Sequence, residues 1–169
     1  IQLMWWTLAR PTEVAEAAWD EFDLEKATWT IAAERMKARK EHIVPLPRQA
    51  VEMLKGLKAI TGNRKHLFPG RDDRNAPMSA ASIRQALKVL GWSGTYSPHG
   101  TRTTGSTRLN EMGYRPDAIE AQLAHAEPNS VRRTYNHATY LEERRNMMQA
   151  WADKLEIWKR ESTGEVSRT

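Results

Sequence analysis

The stretch ATWTIAAERMKARKEHIVPL, residues 27–46, decides the architecture of the first part of the chain. Trp29 and Ile31 alternate with threonines, which is the pattern of a half-buried strand. A second short strand follows at His42–Leu46 and is closed by prolines, which rarely continue a sheet. The polar residues 34–41 join the two strands. The sequence therefore predicts an antiparallel hairpin with a basic loop.

Helical patterns flank this hairpin on both sides. Residues 1–8 resemble the end of a buried helix, and Pro11 stands where a new helix can begin. Apolar spacing and capping residues predict further helices at 48–60, 79–90, 99–112, from Pro116 onward, at 130–135 and at 140–158. We therefore expect an α+β fold that is mostly helical, with a small antiparallel β-hairpin or sheet near the N-terminus.

Length and composition limit the class of protein. The 169 residues suffice for one folded domain, which we place at residues 1–160, with a polar tail at 161–169. There is no cysteine, which excludes disulfides and thiolate metal sites and fits a reducing compartment. The sequence shows neither a signal peptide nor an apolar run of about 20 residues, so we expect a cytoplasmic location and no membrane partner. The net charge of +5 favours a polyanionic partner.

Six side chains suited to phosphodiester chemistry follow one another along the chain. They are Arg10, Lys37, His99, Arg102, His125 and Tyr135. Two guanidiniums can grip one phosphate through paired donors, while lysine and histidine can move protons. A tyrosine hydroxyl can attack phosphorus. No histidine pair or carboxylate cluster with metal-ligand spacing accompanies them, so the set indicates phosphodiester cleavage and rejoining without a metal or other cofactor.

These residues lie in stretches that resemble the catalytic domain of the tyrosine recombinases, the phage integrase family. The resemblance is greatest to integrases of satellite phages, prophages and genomic islands. The matching stretches are Leu8–Glu13, Ala33–Lys37 with His42–Leu46, Pro98–Arg102, Asn110–Tyr114, Leu123–His125 and Val131–Asn136. The resemblance covers about Leu3 to Leu155. One position departs from the family pattern, because Thr101 stands where these integrases usually carry an aromatic residue.

The resemblance implies a role for each of the six. Arg10 and Arg102 would bind the scissile phosphate. His99 would accept or share the proton of the attacking hydroxyl, or hydrogen-bond the phosphate, and His125 would donate a hydrogen bond to the phosphate. Lys37 would protonate the departing 5′ oxygen, and Tyr135 would attack to form a 3′-phosphotyrosine link.

Two of these roles have rivals nearby. Lys40 competes with Lys37, but the spacing of Lys37 to Pro45 suits the family better. Tyr140 competes with Tyr135, but Tyr140 begins an amphipathic helix, where a core role is expected. Glu13 is expected to orient the site rather than to act as a catalytic acid. Arg35, Arg39 and Lys40 in the hairpin loop are expected to contact DNA.

Two packing expectations concern the aromatic residues. We expect the tryptophans Trp5, Trp6, Trp19, Trp29 and Trp92 to pack in the core. The C-terminal helix carries a stripe of Met148, Trp151, Leu155 and Trp158. This stripe can pack on its own domain or dock on a neighbouring protomer, and the sequence leaves both alternatives open.

The family resemblance implies a site-specific DNA recombinase that integrates or excises a mobile element. Its expected partners are double-stranded DNA attachment sites, three further copies in a tetramer on DNA, and DNA-bending accessory proteins. We expect the family's N-terminal DNA-binding domains to lie outside this chain. Away from DNA, the chain can be a monomer. The alternatives are a catalytically silent DNA-binding or regulatory relative, a type IB topoisomerase-like enzyme, and a metal-dependent nuclease.

Overall fold

The structure, a computed structural model, describes residues 1–125 and 140–163. Within these residues, helices surround a three-stranded antiparallel sheet, which confirms the predicted α+β class. The helices are α1 (Gln2–Thr7), α2 (Pro11–Ala15), α3 (Arg48–Thr61), α4 (Ala80–Val89), α5 (Gly100–Glu111), α6 (Pro116–Gln122) and α7 (Leu141–Thr163). The strands are β1 (Phe22–Asp23), β2 (Thr28–Ile31) and β3 (His42–Pro45), and short 3-10 turns lie at Trp19–Glu21 and Ala33–Arg35.

The sheet has one strand more than the predicted hairpin. β2 pairs with β3 as expected, with Trp29 opposite Val44. Phe22, which lies outside the predicted hairpin, pairs with Trp29 from the other side. The two aromatic rings stack at a centroid distance of 5.1 Å and an interplanar angle of 13°. This contact accounts for the extra strand, because cross-strand aromatic pairs stabilise short β-ribbons.

Two apolar clusters form the core. The first surrounds the sheet and includes Trp29, Ile31 and Leu54. The second joins α7 to the N-terminal helix and to α5 and α6; its buried members are Leu8, Leu109, Ala118, Ile119, Leu123, Met147, Met148 and Trp151. Met148 and Trp151 of the α7 stripe are buried in this cluster and Leu155 and Trp158 pack against it, so the stripe packs on its own domain.

The prediction that the tryptophans pack in the core is confirmed for Trp29, which is fully buried, and is wrong for Trp92. Trp5, Trp6 and Trp19 are partly buried and pack against the two clusters. Trp92 is 52% exposed. It follows Gly91, which has a φ of +82° just after the end of α4.

The C-terminal helix is longer than predicted. α7 continues to Thr163, so the first three residues of the expected tail are helical. The hydroxyls of Ser162 and Thr163 donate to the carbonyl of Lys159 and satisfy one acceptor of the last turn. Residues 164–169 and the helix predicted at 130–135 lie outside the described residues. None of the described helices has the length and apolarity that a membrane crossing requires.

Candidate active site

Arg102 lies on α5 with its guanidinium inside the protein. The residue is 5% exposed, and its Nη1 donates to the carbonyl of Leu8 at 2.6 Å. Nη2 donates to the carbonyl of Leu123, also at 2.6 Å. Burial, and then the charge of Arg10, lower the pKa of Arg102 to about 10. The side chain therefore stays cationic at neutral pH, and two of its five N–H donors bind backbone.

Arg10 lies immediately before α2 and is held by Glu13. The backbone N–H of Arg10 donates to Oε2 of Glu13, and its Nη1 donates to Oε1, both at 2.7 Å. Glu13 is 4% exposed, so this ion pair is largely shielded from water. Nη2 of Arg10 also reaches the carbonyl of Ala124 at 3.4 Å. Glu13 thus occupies the orienting position expected from the sequence.

The end of α6 brings both arginines to one place. Arg102 binds the carbonyl of Leu123, and Arg10 binds the next carbonyl along the chain, that of Ala124. The carbonyl before them, that of Gln122, accepts from Nε2 of His42 at 3.2 Å. The last carbonyls of a helix lack intrahelical partners and carry partial negative charge, which suits cationic donors. We call these three acceptors, at residues 122–124, the carbonyl cradle.

Two residues of this region have left-handed backbone conformations. Leu8 has a φ of +55° and Ala124 a φ of +48°. Each of them presents its carbonyl to an arginine, Leu8 to Arg102 and Ala124 to Arg10. A non-glycine residue in this region costs roughly 1–2 kcal/mol. The surrounding packing therefore holds strained backbone at the point where the guanidiniums are positioned.

His42 completes the group and was not identified from the sequence. Burial, followed by the charge of Arg144, lowers the pKa of His42 to about 3, and Arg10 and Arg102 act in the same direction. The ring is therefore neutral at physiological pH. Because a carbonyl can only accept, the Nε2 that faces the Gln122 carbonyl carries the ring proton.

The remaining predicted groups within the described residues are exposed at the surface. His99 is the exposed N-cap residue of α5, one turn before Arg102. His125 follows the cradle, is exposed, and places Nδ1 at 2.6 Å from Oε2 of Glu120. Lys37 is exposed in the loop between β2 and β3, next to the buried Met36. The structure thus brings Arg10 and Arg102 together, with His125 next in the chain.

The basic loop is anchored to the protein through Arg35. Its Nη1 pairs with Oε1 of Glu21, and its Nη2 donates to the carbonyl of Glu13 at 2.8 Å. The fork of Arg35 therefore faces protein acceptors rather than solvent. Arg39 and Lys40 are exposed, and Arg39 has a φ of +51°. DNA contact by these three residues stays a prediction.

The proposed nucleophile, Tyr135, lies outside the described residues. Its rival Tyr140 is buried, and its hydroxyl donates to Oδ2 of Asp117 at 3.4 Å. The guanidinium of Arg115 lies over the Tyr140 ring, 5.2 Å from the centroid. Tyr140 thus has the core role expected of it. Thr101, the departure from the family pattern, is buried and hydrogen-bonds the hydroxyl of Tyr96.

Sequence reasoning missed the polar residues beneath the arginines. They are His42, Gln122 and Arg144, and their partners lie 22 to 115 residues away along the chain. A buried glutamine or arginine leaves no periodic signal, so the sequence offered no basis for selecting them. Within residues 1–125 and 140–163, no group of three or more histidine or carboxylate side chains is arranged to hold a metal ion.

Comparison with known proteins shows the family of the chain. The model of the phage integrase family matches residues 1–142, and the chain belongs to that family. Prophage integrase IntA of Escherichia coli (strain K12) is 48% identical over 147 residues, which cover 87% of this chain and 36% of that protein. The integrase of Enterobacteria phage P4 is 42% identical over 173 residues, covering 93% and 39%. The chain thus spans well under half the length of these curated relatives.

Solved structures share the fold at low sequence identity. XerA recombinase superposes with a TM-score of 0.64 at 20% identity, covering 83% of this chain and 53% of that chain. The Tn1549 transposon integrase, solved in complex with circular intermediate DNA, gives a TM-score of 0.53 at 20% identity. That match covers 85% of this chain and 54% of the other. The catalytic-domain fold expected from the sequence is confirmed.

Proposed function

We propose that the chain is the catalytic domain of a site-specific DNA recombinase that integrates or excises a mobile element. The observation that carries this proposal is the pair Arg10 and Arg102, fixed on adjacent carbonyls at the end of α6. Two guanidiniums held side by side suit the two non-bridging oxygens of one phosphate. Membership of the phage integrase family and the integrase names of the relatives support the same function.

The proposed reaction needs no energy source beyond the phosphodiester itself. The hydroxyl oxygen of Tyr135 attacks the scissile phosphorus, and His99 accepts its proton. The bond from phosphorus to the 5′ oxygen breaks, and Lys37 supplies the proton that the leaving oxygen requires. Arg10 and Arg102 neutralise the charge that builds on the non-bridging oxygens. Reversal of these steps with another 5′ hydroxyl rejoins the strand.

His125 fits a donor role through its contact with Glu120. A carboxylate can only accept, so Nδ1 of His125 carries a proton in this arrangement. Nε2 can then donate to phosphate when the ring is an imidazolium. The contact with Glu120 also fixes the orientation of the ring.

The proposal includes the wider setting of the reaction. Residues 1–160 would form the catalytic domain, and DNA attachment sites would be its substrate, with a tetramer and DNA-bending proteins as partners. The chemistry would proceed without a metal, since arginines and a lysine supply the positive charge that a metal would otherwise provide. The cellular setting would be the bacterial cytoplasm, at the nucleoid.

A nicked duplex that traps the covalent intermediate tests this proposal. The protein is incubated with the duplex, which carries the element's own junction sequence, and denaturing gels reveal any protein–DNA adduct. We expect an adduct that forms in EDTA and disappears in Tyr135→Phe. Tyr140→Phe is the matched control and should retain the adduct.

Other outcomes separate the alternatives. DNA binding with no adduct would favour the catalytically silent relative and refute the enzyme. Relaxation of supercoiled plasmid without strand exchange between two sites would favour the topoisomerase-like activity. Loss of cleavage on addition of EDTA would favour the metal-dependent nuclease.

A further inference from the structure

We infer that Gln122 is a positioning residue that holds the arginine pair in register with the helix that follows the nucleophile. The inference rests on the proposed function and deepens it. Gln122 is buried at the C-terminal end of α6, and three of its polar groups make contacts to three other segments. None of those contacts is to a residue to which the family resemblance assigns a role.

The first contact fixes the separation of the two segments that Arg102 bridges. Arg102 binds the carbonyls of Leu8 and Leu123, which belong to segments far apart in sequence. One residue earlier on each segment, Nε2 of Gln122 donates to the carbonyl of Thr7 at 2.7 Å. The Gln122–Thr7 bond thus runs beside the arginine bridge and holds its two acceptors at a set distance.

The second contact connects the site to α7. Oε1 of Gln122 accepts from Nε of Arg144 at 3.0 Å, in the first turn of that helix. Nη2 of Arg144 donates to the carbonyl of Ile43 on β3 at 2.7 Å. Arg144 is buried, and burial lowers its pKa to about 10. A buried cation without these acceptors would cost folding free energy. Arg144 on α7 is therefore held to Gln122 on α6 and to Ile43 on β3.

The third contact places Gln122 within the carbonyl cradle itself. Its own carbonyl accepts from His42 Nε2, and the next two carbonyls accept from Arg102 and Arg10. The side chain of Gln122 therefore holds in place the backbone of the carbonyl cradle, and that backbone in turn positions the two guanidiniums. Tyr135 precedes α7 by six residues in sequence, so the same side chain relates the helix after the nucleophile to the phosphate site.

The test compares a charged with a neutral scissile phosphate. Gln122→Met keeps a similar volume and removes both polar groups. Gln122→Glu keeps an acceptor for Arg144 but loses the donor to Thr7. Gln149→Met is the control, because Gln149 is another bridging amide, partly buried and bonded to Gln49 and Asp153 away from the cradle. Single-turnover cleavage is measured on a phosphodiester and on a methylphosphonate of the same base sequence.

The ratio of the two rate constants separates positioning from stability. Both are measured on one preparation, so a reduced folded fraction lowers them equally and leaves the ratio unchanged. A methylphosphonate lacks the charge that the arginines neutralise, so misplaced guanidiniums slow the diester more. We expect Gln122→Met to slow diester cleavage by about 100-fold. The ratio of diester to methylphosphonate rates should fall about tenfold. DNA affinity should change little, because it depends on many phosphate contacts.

Gln122→Glu should lower the ratio of diester to methylphosphonate rates by a smaller factor. This variant replaces Gln122→Met in the test if Gln122→Met does not fold. The control Gln149→Met should retain the wild-type ratio. Equal losses on both substrates, or wild-type rates in the Gln122 variants, would overturn the inference while the proposed function stands. A wild-type protein that forms no Tyr135-dependent adduct would overturn the proposed function, and this inference with it.

Discussion

Acidification should destabilise this protein through His42. The pKa of His42 is about 3 in the folded protein, against 6.5 for an ordinary histidine. Below pH 6.5 the unfolded chain takes up a proton at His42 that the folded protein refuses, so unfolding becomes easier as the pH falls. One pH unit is worth about 1.4 kcal/mol for such a group. At pH 5 the loss should therefore be about 2 kcal/mol.

The assay is urea denaturation of the wild type and of His42→Gln at pH 7.5 and at pH 5. The glutamine amide can still donate to the carbonyl of Gln122 but does not titrate. Other ionisable groups change the stability of both proteins alike, so the difference between the two proteins isolates His42. We expect that difference to shift by about 2 kcal/mol in favour of the variant on acidification.

Parallel pH dependence in the two proteins would refute the reasoning. It would mean that the folded protein accepts the proton at His42 despite the charges of Arg144, Arg10 and Arg102. A histidine NMR titration reports the same quantity independently. A ring that titrates near pH 6.5 in the folded protein would contradict the burial and charge repulsion seen here.

Three further predictions test the packing around the site. Gly105→Ala should lower the free energy of unfolding by about 1–3 kcal/mol and slow cleavage, because its Cβ would lie 2.5 Å from Cδ2 of Leu8. In the double variant with Leu8→Ala, the loss should be smaller than the sum of the two single losses, and an additive loss would contradict the steric explanation. Ala124→Gly should raise the free energy of unfolding by roughly 1 kcal/mol in urea denaturation, since its φ of +48° suits glycine; a loss would contradict the assigned strain. Trp151→Ala should lower the free energy of unfolding by about 3–5 kcal/mol, because the ring is fully buried. A loss below about 1 kcal/mol would contradict that packing.

The sequence predicted those parts of the structure that leave a local pattern. Alternation around Trp29 predicted β2, and the capping serine Ser79 predicted the start of α4, where its hydroxyl accepts from the N–H of Ser82. The two-residue strand β1 escaped because so short a segment shows no alternation. Its position depends on the stacking of Phe22 on Trp29, and the sequence of the turn between them does not predict that contact.

The candidate site divides in the same way. Arg10 and Arg102 were selected through their motifs, and the structure brings them together at the end of α6. Gln122 and His42 were not selected, because a buried amide or a partly buried imidazole gains its role from distant partners. Lys37, His99 and His125 keep their predicted roles as proposals, and Tyr135 lies outside the described residues.

The carbonyl cradle has a consequence for how this region can change during evolution. Its acceptors are backbone atoms, so the side chains at 123 and 124 can be exchanged for others of suitable size without removing an acceptor. The number of residues between Gln122 and His125 cannot change so easily. One inserted or deleted residue would move every carbonyl to its neighbour's place and leave each arginine opposite the wrong atom. Selection at this point should therefore act more strongly against changes of length than against changes of residue.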